Sequence, residues 1–418
     1  MRKSFICLVV VSLVGLVIAE DGKPAVKTRT FSEDLSFLKK HTDVIVLQSG
    51  GAKVAIVPEY QGRVMTSTTG GKDDTSYGFL NCPVIEKGIL AKDEAKGRLE
   101  EHIYVFGGEE RFWLGPEGGQ YAIYFRPGSK FVFDDWCVPA LIDTDKFKIM
   151  SLSEKEAVFS REAELVNYST NTFKVRINRA VKILEKADVE DALGLKMTDG
   201  LGVVAYESKN ELVNVGANEW KKEQGLLSIW ILGMYNPSPD VTVVIPFNKG
   251  ADSNLGSRVN DTYFGRVPAE KLIVKDDILF FSGDGAYRSK IGINPKRSKG
   301  IAGSYDAASK TLTVVIYNKP VGNLPYVNSM WERQVNPYEG DAINSYNDGV
   351  PAPGKKPLGP FYEIETSSPA LELRVNEGYT HIQKTFHVQG PENELDAVSK
   401  RLFDVSIEDI KKALNPVK

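Results

Sequence analysis

Short runs in which apolar and polar side chains alternate recur along almost the whole chain. Clear examples are Val44–Leu47, Val54–Val57, Tyr121–Phe125, Phe173–Leu184, Leu272–Phe281 and Leu312–Tyr317. Turn residues such as Gly50-Gly51 and Pro127-Gly128 bound these runs. A period of two residues is typical of strands with one buried face, and runs of this length between turns favour antiparallel sheets. The chain is therefore predicted to be all-β.

Helical periodicity is concentrated near the two ends of the chain. Ser32–Lys40 begins with a potential cap and can bury Leu35 and Leu38. Glu394–Leu402 and Ile407–Leu414 also have apolar residues at three- and four-residue spacing. We expect short helices that pack on the sheets or cap them.

The N-terminus resembles a secretory signal. Arg2 and Lys3 precede the apolar run Phe5–Ala19, which ends in small residues. This pattern predicts a signal peptide over residues 1–19 and an exported product, periplasmic or secreted, with no membrane partner after cleavage. A single membrane anchor is the alternative, although the run is short for a bilayer span.

Charge and cysteine content narrow the possible partners. The formal net charge is −3, which argues against nucleic acid or an anionic membrane as a partner. Cys82 and Cys137 could pair in an oxidising compartment or remain as two thiols. The oligomeric state stays open.

The stretch from Phe361 to Val388 reads as strand, turn and strand with titratable groups on its polar faces. Glu363 and Glu365 share one side of the first strand, and His381 and His387 share one side of the second. We expect a wall that binds something polar.

A second candidate segment runs from His102 to Gly119. Arg111 could hold a carboxylate or sugar hydroxyls, Trp113 offers a flat apolar face, His102 could exchange a proton, and Glu117 adds a carboxylate. The alternative is an internal salt bridge between Arg111 and one of the acids just before it, with Trp113 in the core.

A third segment lies within a predicted irregular region, Asn318–Gly359. Its amide, carboxylate and phenol groups suit paired hydrogen bonds to a carbohydrate, and the candidate binding residues are Asp341, Asn344, Tyr346, Asn347 and Asp348. The alternative is a turn with local capping. The acids lack the spacing of an EF-hand, and the four histidines lack the spacing of a zinc site, so no metal or cofactor is expected.

Several segments resemble known families. Glu365-Thr366 and Leu373–Tyr379 are similar to the end of aldose 1-epimerases, and Gly51–Thr69 looks like the opening hairpin of that superfamily. The string GGEERFWLGPEGGQYAIYF resembles an uncharacterised family of exported bacterial proteins with a galactose mutarotase-like supersandwich. This resemblance implies a large antiparallel two-layer β-sandwich over residues 25–390, followed by a short helical tail over residues 391–418.

The resemblance also implies carbohydrate as the ligand and Glu365 as a general base. The family's mid-chain catalytic histidine has no counterpart, because no histidine occurs between residues 103 and 380. His102 could replace it only if the fold brings it opposite Glu365. Three functions remain: carbohydrate binding without turnover, an epimerase or mutarotase, and a polysaccharide lyase or glycosidase that uses Glu363 or Glu365.

Overall fold

Eighteen β-strands and eight α-helices form within residues 29–414, the part of the chain that the computed structural model describes. The strands are β1 Ile45–Ser49, β2 Ala52–Val57, β3 Arg63–Thr68, β4 Arg111–Gly115, β5 Lys148–Leu152, β6 Glu156–Val166, β7 Thr172–Ile183, β8 Gly202–Asn214, β9 Ser228–Tyr235, β10 Val241–Pro246, β11 Leu272–Val274, β12 Ile278–Ser282, β13 Ser289–Ile293, β14 Ile301–Asp306, β15 Thr311–Tyr317, β16 Ile343–Asn347, β17 Tyr362–Ser367 and β18 Gly378–Gln389. The helices are α1 Phe31–His41, α2 Cys82–Lys87, α3 Lys92–Ala95, α4 Ala140–Asp143, α5 Lys186–Leu193, α6 Asp252–Leu255, α7 Glu392–Phe403 and α8 Ile407–Ala413.

The strands form three antiparallel sheets. The largest has ten strands in the order β11-β12-β10-β14-β15-β18-β8-β7-β6-β5, and a five-stranded sheet has the order β13-β16-β17-β9-β4. Strands β1, β2 and β3 form the third sheet. The predicted all-β, antiparallel fold class is confirmed.

The ten-stranded and five-stranded sheets face each other as two layers. The Tyr362 hydroxyl on β17 lies 2.8 Å from Ser304 Oγ on β14, and Ile364 packs in one buried cluster with Val243 and Val315 of the large sheet. Helices α5, α7 and α8 cover the outer surface of the large sheet with a separate apolar cluster. Apolar clusters therefore pack on both faces of the large sheet, one between the sheets and one beneath the helices.

The three terminal helices agree with the sequence expectation, with one shift. Helix α1 is capped by Thr30, whose side chain accepts from the Glu33 amide, and Leu38 is buried beneath it. Ser32, the expected cap, lies inside the first turn because Thr30 and Glu33 form a capping box. The predicted signal peptide lies outside the described residues, and no helix within residues 29–414 is long and apolar enough to cross a membrane.

The predicted irregular region Asn318–Gly359 contains a central strand, so that expectation is wrong in part. Residues Ile343–Asn347 form β16, which pairs with β13 on one side and β17 on the other. The sequence INSYN has only one β-branched residue, so its own preference for strand is weak and pairing on both sides determines its structure.

Strands β17 and β18 lie in opposite layers and do not pair with each other. The polar face of β18 is buried between the sheets: His381, Gln383, Thr385 and His387 are each at most 1% exposed. His387 Nε2 lies 2.9 Å from Glu109 Oε1, and Thr366 Oγ1 lies 2.8 Å from His381 Nε2. The second half of the expected ligand-binding wall is therefore an internal hydrogen-bond network.

Arg179, on β7, joins this network to β8 and to the backbone just before β3. Its guanidinium donates to Glu110 Oε1 at 2.7 Å and to the Gly62 carbonyl at 3.1 Å, and it also contacts Asn210. Both Arg179 and Glu110 have fully buried side chains. Removing one partner would leave a buried charge without compensation.

We expect Arg179→Ala to lower the free energy of unfolding by about 3–5 kcal/mol, because Glu110 loses its cationic partner in the core. Arg176→Ala on the same strand should cost less than about 1 kcal/mol, since Arg176 is 41% exposed and 3.5 Å from Glu162. Urea unfolding of both variants measures the difference. Equal losses would contradict the assignment of Arg179 as a core cation.

Candidate functional site

The outer face of the five-stranded sheet, which points away from the ten-stranded sheet, collects most of the candidate residues. Tyr362, Ile364 and Thr366 of β17 face the large sheet, so Glu363 and Glu365 point the other way. Residues directly opposite each other on antiparallel strands share a face. The polar, charged and aromatic residues of the site face include Lys290, Asn344, Tyr346, Glu363, Glu365, Ser228, Trp230, Arg111 and Trp113.

Glu365 lies at the centre of the site face and is fully buried. Its Oε2 accepts hydrogen bonds from Trp230 Nε1 at 2.9 Å and from Lys290 Nζ at 3.0 Å. Its Oε1 has no hydrogen-bond partner among the described residues. Burial lowers the pKa of Lys290, but Glu365 and Glu117 raise it by more, so the Lys290 pKa lies above its usual value.

Glu363 is engaged differently, because its carboxylate forms an ion pair with Arg111. The Arg111 guanidinium also lies 4.9 Å from the ring centre of Trp113. Burial raises the pKa of Glu363, and Arg111 offsets this only in part. The expected alternatives for Arg111, Glu109 and Glu110, instead pair with His387 and Arg179.

Asp341 lines the pocket together with Lys290 and Asn344, and two side chains donate hydrogen bonds to its carboxylate. Tyr263 donates its hydroxyl to Asp341 Oδ2 at 2.7 Å, and Asn260 donates to the same oxygen at 3.1 Å. Burial raises the pKa of Asp341, although these hydrogen bonds lower it. A side chain at Gly292 would place Cβ only 2.0 Å from Asp341 Oδ2, so a glycine on β13 makes room for this carboxylate.

A pocket opens between these groups. It is lined by Gly115, Ser228, Trp230, Tyr263, Lys290, Val327, Ser329, Asp341, Asn344 and Ser367. Its free interior is about 10 Å³, close to the minimum that one water molecule needs. The pocket thus joins an ammonium, a carboxylate, hydroxyls and an indole in a small enclosed space.

Four of the five tryptophans form a continuous run of ring contacts that starts at the pocket. Trp230 contacts Trp113, Trp113 contacts Tyr124, Tyr124 stacks on Trp136, and Trp136 stacks on Trp331, with centroid distances of 5.6, 5.6, 6.1 and 5.6 Å. We call Trp230, Trp113, Tyr124, Trp136 and Trp331 the aromatic run. It gives the site an apolar wall beside its charged groups.

Six of the predicted site residues lie together on the site face, and Asp341 lines the pocket beside them. The six are Arg111, Trp113, Asn344, Tyr346, Glu363 and Glu365. Alternation along β16 explains why Asn344 and Tyr346 belong to this group, since both point to the same side of the strand.

Three other predicted residues make local contacts. Asn347 points to the opposite side of β16 and bonds to Asp284 at 2.8 Å. Asp348 accepts from the Tyr346 hydroxyl and the Gly359 amide, both at 2.9 Å. His102 Nδ1 lies 2.7 Å from the Trp136 carbonyl oxygen, and its ring packs on Phe133. His102 is not among the residues that line the pocket.

Sequence reasoning missed Lys290, Trp230, Tyr263 and Ser228, all of which line the pocket. Lys290 and Trp230 lie on β13 and β9, which surround β17 only in the folded sheet. Alternation along Ser228–Tyr235 could have placed Trp230 on one face of a strand. Its pairing with Ser367 could not be inferred from one sequence.

Glu117 lies two residues beyond Gly115, the pocket-lining end of β4. Its backbone amide donates to Ser329 Oγ at 3.2 Å, and its side chain hydrogen-bonds to Trp331. Burial raises the pKa of Glu117 to about 7, with Lys290 lowering it and Glu365 raising it further. A carboxyl group with this pKa can both hold and release a proton near neutral pH.

A model of a protein family described as a family of unknown function, DUF6786, matches residues 29–414. A search of curated proteins found no match. Among residues 29–414, no group of three or more histidine, cysteine, aspartate or glutamate side chains is arranged to hold a metal ion.

The chain is similar to several solved structures at low identity. A candidate aldose 1-epimerase from Escherichia coli K12 has 11% identity and a TM-score of 0.46, covering 84% of this chain and 99% of its own. A candidate mutarotase from Salmonella typhimurium has 12% identity and a TM-score of 0.46, with coverages of 84% and 92%. A galactose mutarotase-like protein from Lactobacillus casei has 12% identity and a TM-score of 0.41, with coverages of 83% and 99%. No residue role is transferred from these proteins.

The raised pKa of Glu117 predicts a pH dependence of stability. Because the folded pKa of about 7 exceeds the unfolded value, the folded state binds more protons between about pH 4.5 and pH 7, and stability falls as pH rises through that window. Glu117→Gln removes this contribution, so its stability relative to wild type should rise by about 1–2 kcal/mol from pH 4.5 to pH 8. Urea unfolding at both pH values measures it.

The control is Glu332→Gln, which removes an exposed carboxylate from the neighbouring segment. A Glu117→Gln difference that is the same at pH 4.5 and pH 8 would contradict the raised pKa.

Proposed function

The chain belongs to the DUF6786 family, and we propose that it is a carbohydrate-binding protein whose ligand occupies the pocket beside Glu365. One observation carries this proposal: three buried hydrogen-bonding atoms without partners in the described part of the chain belong to residues of the site face, and one of these residues lines the pocket itself.

These atoms are Glu365 Oε1, Ser228 Oγ and Trp113 Nε1, none of which has a hydrogen-bond partner among the described residues. Buried polar atoms are normally paired, and leaving them unpaired costs free energy. A carboxylate oxygen only accepts, an indole N–H only donates, and a hydroxyl does both. A ligand with several neighbouring hydroxyl groups satisfies all three.

The aromatic rings supply the second requirement of a sugar site. Trp230 lines the pocket and contacts Trp113 in an edge-to-face arrangement. Such rings can bury the C–H face of a pyranose. The Trp230 N–H is committed to Glu365, whereas the Trp113 N–H has no partner among the described residues. Carbohydrate therefore matches the site in both its polar and its apolar surfaces.

The small size of the pocket sets a condition for the entry of a sugar ligand. Since its free interior is about 10 Å³, a sugar ring enters only when the covering residues move apart. Val327 and Ser329 come from the segment between β15 and β16, and Tyr263 comes from the segment between β10 and β11. Connecting segments move more easily than the paired strands beneath them.

We expect Glu365→Gln to weaken saccharide binding at least tenfold, because the ligand loses a charged hydrogen-bond acceptor worth about 1.5–3 kcal/mol. Isothermal titration with the best ligand from a glycan panel measures the loss. Since this change also removes the partner of Lys290, a second variant is needed that leaves the ion pair intact.

Ser228→Ala is that variant. The Ser228 hydroxyl has no partner among the described residues, so its removal should leave thermal stability unchanged and weaken binding several-fold. Glu372→Gln, at an exposed position five residues beyond the end of β17, is the control. Failure of the wild-type protein to bind any saccharide, or unchanged affinity in both site variants, would reject the proposal.

A second candidate function is interconversion of sugar anomers, which the position and pKa of Glu117 favour. Glu365 Oε1 would take the proton of the anomeric hydroxyl while the Glu117 carboxyl donates its proton to the ring oxygen. The bond between the anomeric carbon and the ring oxygen then breaks, and the aldehyde forms. Reclosure on the other face of the carbonyl returns both protons.

Anomer exchange followed by NMR tests this function. If it operates, Glu117→Gln should lower kcat at least 100-fold with little change in KM, because general acid catalysis contributes about 10²–10⁴-fold. His102→Gln is the matched test of the alternative acid. Exchange at the spontaneous rate with wild-type protein would leave binding without turnover.

A further inference from the structure

The site face continues beyond the pocket onto an exposed surface. Phe264 is 44% exposed and Tyr287 is 43% exposed, and the Arg288 guanidinium lies 3.8 Å from the ring centre of Phe264. We call Phe264, Tyr287 and Arg288 the outer platform. Phe264 and Tyr287 thus present aromatic surface to solvent beside the residues of the site face.

The outer platform is joined to the pocket on two sides. Tyr263 lines the pocket, and Phe264 is the next residue in the chain. Tyr346, opposite both Lys290 and Glu363 on the site face, contacts Phe264 edge-on at 6.0 Å. Glu363 is two residues from Glu365, or about 7 Å along the strand. The platform therefore lies on the order of 10 Å from Glu365, beyond the reach of one ring bound there.

The outer platform differs from the rest of the site in how its cation is paired. Lys290 is paired with Glu365, and Arg111 is paired with Glu363. Within residues 29–414, no carboxylate lies within ion-pair distance of Arg288. Its guanidinium is instead positioned by stacking on Phe264 and by a hydrogen bond with Tyr346.

A guanidinium held flat on an aromatic ring loses little freedom on binding and can donate two parallel hydrogen bonds to a carboxylate. Neutral sugar hydroxyls do not require a net charge. Glu117 acts on Arg288 electrostatically, and Asp348 shares the Tyr346 hydroxyl with it, but neither carboxylate forms an ion pair with the guanidinium. A cation without a direct ion-pair partner among the described residues favours a ligand that brings its own negative charge.

We propose that the ligand is an acidic oligosaccharide: one unit occupies the pocket at Glu365, and the carboxylate of an adjoining uronic acid unit binds Arg288 on the outer platform. This inference rests on the proposed carbohydrate site and adds the length and charge of its ligand.

The test is titration calorimetry with matched neutral and uronic-acid-containing mono-, di- and trisaccharides. We expect wild-type protein to bind the acidic disaccharides at least tenfold more tightly than their neutral counterparts at low salt, with the preference falling as salt is raised. Arg288→Gln should abolish the preference, and Arg288→Lys should restore only part of it, because lysine retains the charge without the planar fork. Phe264→Ala should weaken disaccharides more than monosaccharides.

Arg266→Gln is the control, since Arg266 follows Phe264 by two residues but is 82% exposed and paired with Asp261. It should leave the acidic preference unchanged. Equal affinity for neutral and acidic ligands, or a preference that survives Arg288→Gln, would overturn this inference while leaving the carbohydrate site in place. No binding of any saccharide would overturn both.

Discussion

Strand β17 is buried on both faces, and this constraint governs where charge can be placed in the sandwich. All six of its residues are buried. The side chains of β17 that face the large sheet must pack against it. Its two glutamates are buried on the site face, where each needs a cationic partner. Lys290 and Arg111 are these partners. The arrangement of cations on β13 and β4 follows from the presence of acids on the strand between them.

Two polar systems result, one on each side of the five-stranded sheet. The inner one links Glu109 and Glu110 to His387 and Arg179 and ties the two layers together. Unpaired polar atoms occur there too, at Glu109 and Tyr235. The outer system is distinguished by the pocket, which Ser228 with its unpaired hydroxyl lines, and by the exposed outer platform beyond it. The inner network and the proposed ligand site therefore lie on opposite sides of one sheet.

The sequence predicted the fold class and the faces of individual strands better than it predicted their neighbours. Alternation placed Glu363 and Glu365 on one side of β17 correctly, because that property is local. The same reasoning made β18 a second ligand wall, whereas its histidines are buried between the layers. Which face of a strand packs against the other sheet depends on pairing with strands that are far away in the sequence. The two-residue period of one strand does not contain that information.

The prediction of the candidate site was limited in the same way, because local sequence patterns do not show which strands become neighbours. Arg111, Trp113, Asn344 and Glu365 attracted attention through their residue types, and they lie together. Lys290 and Trp230 were not predicted, because neither is unusual within its own strand. They become significant only when folding brings them close to Glu365 on β17. Asn347 was assigned to the site because β16 resembled a loop, and in a loop neighbouring side chains can converge. In a strand they cannot, so Asn344 and Asn347 point to opposite sides.

The tryptophans of the aromatic run are intrinsic fluorophores that extend from the pocket. Trp220 packs separately against Phe173, while the other four tryptophans extend from the pocket wall to a partly exposed ring at Trp331. Indoles this close exchange excitation energy, and their emission responds to the polarity around them. Because four of the five tryptophans belong to this run, we expect intrinsic fluorescence to change when the pocket is occupied.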